Sequence, residues 1–135
     1  MLETGIKGIQ TETVVPEKTA AAVGSGLLPV YATPAMIALI EGTAAASVAP
    51  HLEEGCGTVG ISLNVKHMAA TPIGMEIRCE TELTEVDRKR LVFSAKVYDD
   101  TGLVGEGIHE RFVIDNEKFM QKAETKKKAW EESKQ

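Results

Sequence analysis

Three residues of this chain are of types and places that suit acid–base or nucleophilic chemistry: Thr33 and Glu41 in an apolar run, and His67 on the apolar face of an alternating segment. Glu41 is the only charge between Thr33 and Pro50, a run of Ala, Ile, Leu, Met and small residues. A carboxylate in such a setting costs free energy unless it is paired or put to use. Two readings follow. Glu41 is a general base or nucleophile at a buried site, or it is a structural acid that meets an Arg, a His or a subunit contact. His67 shares strand parity with Ile61, Leu63 and Val65. A histidine so placed is often a packed core residue, but one that meets Glu41 becomes a proton carrier. Thr33 suits the N-cap of the apolar run, with Pro34 at the first helical position. The same place offers free N–H groups and the positive end of a helix dipole to a developing oxyanion. His109 and Arg111 share one face of a later alternating segment, with Glu110 on the other. Arg111 can orient a carboxylate, bind a phosphate or serve in a plain ion pair.

These residues need elements to position them. Residues 11–15 alternate and read as a strand ended by Pro16. Residues 18–32, with Gly24 and Gly26, read as a loop or short helix. Thr33 to Pro50 reads as a helix of about four turns, apolar nearly all round and so buried on most sides. From residue 57 the period becomes two. One strand carries Ile61, Leu63, Val65 and His67 on one face, and a second carries Ile77, Cys79, Thr81 and Leu83. Residues 91–98 and 103–114 follow as two more strands, around the hairpin turn Asp99-Asp100-Thr101-Gly102. Tight turns imply antiparallel pairing, and the one apolar helix is what can cover the sheet. The fold class is therefore α+β, a curved antiparallel sheet wrapped around one long central helix. All 135 residues fit one domain, with a core over about 7–115 and a charged, helix-prone tail over 116–135 that is expected to fray.

Composition narrows the function. A net charge of −5 and a pI near 5.2 argue against nucleic acid, which needs a basic face. Lys126-Lys127-Lys128 reads as a solvated tail face. With one Trp, two Tyr and three Phe, the core must be aliphatic. No apolar run approaches the roughly 20 residues of a membrane span, and the charged start is no signal peptide. A cytoplasmic protein is expected. Cys56 and Cys79 have no CxxC or metal-type spacing, so reduced thiols and no metal are expected.

Four blocks carry a family resemblance: Ala32-Thr33-Pro34 with Leu39-Ile40-Glu41; Ala49-Pro50-His51-Leu52-Glu53; residues 65–72, Val-Lys-His-Met-Ala-Ala-Thr-Pro; and residues 107–114, Gly-Ile-His-Glu-Arg-Phe-Val-Ile. In order and spacing they resemble the fluoroacetyl-CoA thioesterase group of hotdog-fold thioesterases. The resemblance implies a catalytic set of Thr33, Glu41 and His67, with Gly60 holding the thioester carbonyl and Arg111 binding substrate. It also implies a homodimer or a dimer of dimers with sites at the subunit contact, and no cofactor beyond the CoA of the substrate. The stretch before the helix lacks the family's lid phenylalanine, since the first Phe is Phe93. This argues against fluoroacetyl selectivity, and a lid rich in Ala, Leu and Val points to a short or medium acyl-CoA as substrate. A non-catalytic acyl-CoA binder is the alternative, and a dehydratase on the same fold ranks last.

Overall fold

A computed structural model describes residues 2–134. Strand β1 (Lys7–Thr13) leads through a 3-10 turn (Pro16–Lys18) into the short helix α1 (Ala20–Val23). The long helix α2 (Thr33–Val48) follows, then a second 3-10 turn (Ala49–His51). Four strands come next: β2 (Cys56–His67), β3 (Glu76–Asp87), β4 (Arg90–Asp99) and β5 (Gly102–Asp115). Helix α3 (Asn116–Glu132) ends the described chain, capped by Asp115, whose carboxylate accepts from the Lys118 N–H at 3.0 Å.

The strands form one antiparallel sheet in the order β1-β3-β4-β5-β2. This is the expected α+β arrangement, with α2 laid across one face. Tight turns join β3 to β4 and β4 to β5, but β2 and β3 are not neighbours. Residues 68–75 instead carry the chain across the sheet, tied down where the Tyr31 N–H donates to Thr71 O at 2.8 Å. This leaves β2 at an open edge.

Packing follows the two periods. Met36, Leu39 and Ile40 of α2 lie on Ile77 and Cys79 of β3, Ala95 and Val97 of β4 and Val104 of β5. Further along, Ala44 and Val48 lie on Leu83, Leu91 and Phe93. Full burial of each large aliphatic side chain is worth roughly 1.5–3 kcal/mol. The predicted alternation of Ile77, Cys79, Thr81 and Leu83 holds, and all four are buried.

Three expectations change. Helix α2 is buried on one side only; Ala38, Gly42 and Ala46 are open in the single chain. Ile61 does not share the buried face of Leu63 and Val65. The β2–β5 register slips between Gly60 and Ser62, and Ile61 stands 52% exposed. A bulge adds one residue, and period-two facing restarts after it. Thr33 is not the N-cap. Ala32 holds that place with extended φ and ψ of −76° and 137°, and its carbonyl accepts from Met36 N–H at 3.0 Å. Thr33 thus becomes the first helical residue and Pro34 the second, where a missing N–H is still harmless.

Where α2 crosses β1, the strand residue must be tiny. A Cβ on Gly8 would lie 2.8 Å from Ser47 Cβ and 3.0 Å from the Thr43 carbonyl oxygen. Gly8→Ala should therefore push the helix off β1 and cost about 1–3 kcal/mol. Thermal melts should show the loss as a fall of several degrees in Tm, and an unchanged Tm would mean that α2 sits less tightly than described.

Candidate active site

Two constellations stand on β2, one near each end. At the C-terminal end, Thr33 Oγ1 lies 2.8 Å from His67 Nδ1. This contact exists because Thr33 is spared capping duty: its hydroxyl is free to turn toward the strand. The Tyr31 ring meets the His67 ring edge-on, with centroids 6.3 Å apart and planes at 78°. Tyr31 is itself pinned, its hydroxyl donating to Glu12, which also pairs with Lys18. A cavity of about 270 Å³ opens here, lined by Val30, Tyr31, Thr33, His67 and Met68.

His67 Nε2 is buried without a hydrogen-bond partner among the described residues. Burial lowers the His67 pKa from the ordinary 6.5, against a smaller raising effect of the Ala69 backbone. The ring is thus neutral near pH 7, with one nitrogen on Thr33 and the other unsatisfied. A neutral imidazole so placed can take a proton from a hydroxyl or water.

Nearer the start of β2, Glu41 lies over Gly60. A Cβ on Gly60 would collide with Glu41 Oε2 and crowd His109 Cε1 at 3.2 Å and Arg111 Nη1 at 3.3 Å. Glycine at this position is what lets the carboxylate reach the strand. Glu41 Oε2 is 3.6 Å from Arg111 Nη1, the helix acid being 40% exposed and the Arg111 side chain 8%. Arg111 donates from Nε to Thr58 Oγ1 and from Nη2 to Thr58 O, both at 2.8 Å. His109, fully buried, completes the group.

Of the predicted site residues, the fold brings Thr33 to His67, and it brings Glu41 to Gly60 and Arg111. It does not bring Glu41 to His67 within one chain. Glu41 is eight positions beyond Thr33, about 12 Å further along the helix axis at 1.5 Å per residue. Gly60 precedes His67 by seven positions on β2, about 23 Å at 3.3 Å per residue. Thr58 and Tyr31 are contributors that the sequence reading did not single out. Neither has a type or spacing that marks it; only the register of β2 on β5 and the path of residues 68–75 reveal them.

The family model for FlK, described as fluoroacetyl-CoA-specific thioesterase, matches residues 14–117. The fluoroacetyl-CoA thioesterase of Streptantibioticus cattleyicolor is 39% identical over 97 residues, covering 72% of this chain and 70% of that one. A crystal structure of a FlK variant in complex with fluoroacetate and CoA superposes with a TM-score of 0.83 at 33% identity, over 87% of this chain and 99% of the other. A thioesterase superfamily member from Thermus thermophilus gives a TM-score of 0.90 at 26% identity, over 97% of each chain.

Burial also lowers the pKa of His109, with the nearby Arg111 charge adding to the effect. Both folded-state values therefore lie below the 6.5 of the unfolded chain. This contribution to stability is complete above pH 6.5 and drains away as pH falls below it, through the lowered values, because the unfolded state takes up protons first. Urea melts at about pH 7.5 and about pH 5.5 should give the lower midpoint at the acid pH, and His67→Gln should narrow the gap. An equal gap in that variant would remove His67 from the linkage.

Proposed function

The chain belongs to the fluoroacetyl-CoA-specific thioesterase family and is an acyl-CoA thioester hydrolase; from that premise we propose a homodimer in which Thr33 and His67 of one subunit work with Glu41 of the other. The observation that carries the assignment is the 2.8 Å contact of Thr33 Oγ1 with His67 Nδ1 beside a cavity, with Nε2 of the same ring unpartnered among the described residues. The relatives named above are thioesterases, which does not favour a non-catalytic binder.

The dimer rests on geometry. Strand β2 is an edge strand, and an unpaired edge is a template for a second strand. Two copies of β2 paired antiparallel about a two-fold axis at Leu63–Asn64 set Gly60 of each opposite His67 of the other. Glu41 and Gly60 of one copy then face Thr33 and His67 of its mate. The half-sites that one chain holds apart become two whole sites.

In this arrangement the thioester carbonyl lies at the N-terminus of α2. The Thr33 hydroxyl and the Gly60 N–H receive the charge that develops on its oxygen. Glu41 activates water or attacks the carbonyl itself, and His67 passes a proton toward the departing thiolate. The elements of water add across the acyl–sulfur bond, giving free acid and CoA. Arg111 holds Glu41 in place and borders the substrate. The segment before α2 that borders this cavity is rich in Ala, Leu and Val, which supports a short or medium apolar acyl group. No metal or redox cofactor is called on. The two unpaired thiols, Cys56 and Cys79, fit the reducing cytoplasm, and we place the enzyme there, away from membrane and nucleic acid.

Thiol release from a panel of acyl-CoAs tests the reading. Short and medium chains should turn over fastest, and Glu41→Gln should lower kcat by at least about 100-fold. Wild-type turnover in that variant would take Glu41 out of the chemistry. The shared site has its own test. Thr33→Ala and Glu41→Gln subunits, each inactive alone, should regain roughly a quarter of wild-type turnover when unfolded and refolded together, because half of the dimers are hybrids with one intact site. A mixture as inactive as its parts would put each site within one subunit.

A further inference from the structure

His109 has no part in the chemistry above, yet it is fully buried directly behind Glu41 and Arg111. Its partners fix its state. Nδ1 lies 2.9 Å from the Ser62 carbonyl oxygen, which can only accept. Nε2 lies 3.1 Å from Arg111 Nη1, which can only donate. One form of the ring satisfies both: neutral, with the proton on Nδ1 and the lone pair of Nε2 turned to the guanidinium. Phe93 stacks on the opposite side, its centroid 6.2 Å away and its plane tilted 29°. The charged groups around the ring are Arg111 on its own strand, Glu41 from α2 and, more weakly, Glu110.

The consequence falls on Arg111. Thr58 takes its Nε and Nη2, and nothing on that strand takes Nη1. Without the His109 lone pair the fork could pivot about Thr58 and carry Nη1 away from Glu41. We propose that His109 is a positioning residue for thioester hydrolysis. It acts as the neutral acceptor that locks the Arg111 guanidinium with Nη1 turned to the Glu41 carboxylate. The proposal rests on the thioesterase reading for its effect on rate, but the lock itself does not.

Two substitutions separate this role from simple scaffolding. His109→Asn keeps a donor where Nδ1 meets Ser62 and loses the acceptor for Arg111. His109→Gln reaches Arg111 with its amide oxygen and gives up the Ser62 bond. If the acceptor matters, Gln holds kcat near wild type and Asn drops it about 10- to 100-fold, the scale of a catalytic group displaced by about an ångström. KM should stay nearly constant in both. The Asn defect should also vanish in an Arg111→Lys background, since the two act as one unit. The opposite ranking, or an Asn defect of equal size with and without Arg111, would overturn the proposal. Independently of turnover, 15N chemical shifts at neutral pH should show His109 protonated on Nδ1 and bare at Nε2. A proton on Nε2 excludes the lock whatever the enzyme hydrolyses. A wild-type protein inert toward every acyl-CoA, but with the expected 15N pattern, would sink the thioesterase reading and leave the lock standing.

Discussion

A guanidinium shut away from water needs acceptors for the N–H groups it carries, and Arg111 finds them on three elements. Thr58 of β2 supplies two, His109 of β5 a third, and Glu41 of α2 the opposing charge. A buried charge left unpaired is among the costliest defects a fold can hold. The register of β2 on β5 is therefore not free to slide. A slip of one residue would turn Thr58 away and leave the cation stranded. The bare Cα of Gly60 belongs to the same constraint, because it makes room for Glu41 against the strand.

Much of this was legible in the residues. The apolar run predicted a long helix, and its single acid, Glu41, stood out as either a working group or the partner of an Arg or His. Strict alternation predicted Ile77, Cys79, Thr81 and Leu83 on the inner face. Thr33 and His67 were singled out by type and place, and they touch. The misreadings share a cause, which is that backbone conformation sits below the resolution of a residue pattern. Thr33 looks like a cap, but the extended Ala32 does the capping, and this frees the hydroxyl for His67. Ile61 looks inward by parity, but a bulge resets parity in mid-strand. The strand order was hidden as well. The break in alternation at Thr71-Pro72-Ile73-Gly74 does not say that residues 68–75 cross the sheet and put β2 on its rim.

The open side of α2 has a different origin. Ala38, Gly42 and Ala46 made the helix look wholly apolar, and wholly apolar helices are buried. In the single chain these small residues meet solvent. They add little exposed apolar area each, so the chain tolerates their exposure at modest cost. Cys79 shows the other extreme. Beneath α2, desolvation pushes its thiol up to about 11, so it is a small hydrophobe in practice.

The edge position of β2 has a consequence in solution. In the proposed dimer, with Glu41 set over one end of that strand and His67 at the other, assembly and competence are governed by a single mass-action equilibrium. Diluting such a protein does more than slow it in proportion. Specific activity itself declines as the population shifts to lone chains. Saturating ligand pulls the population back, because anything bound across the seam favours the joined form.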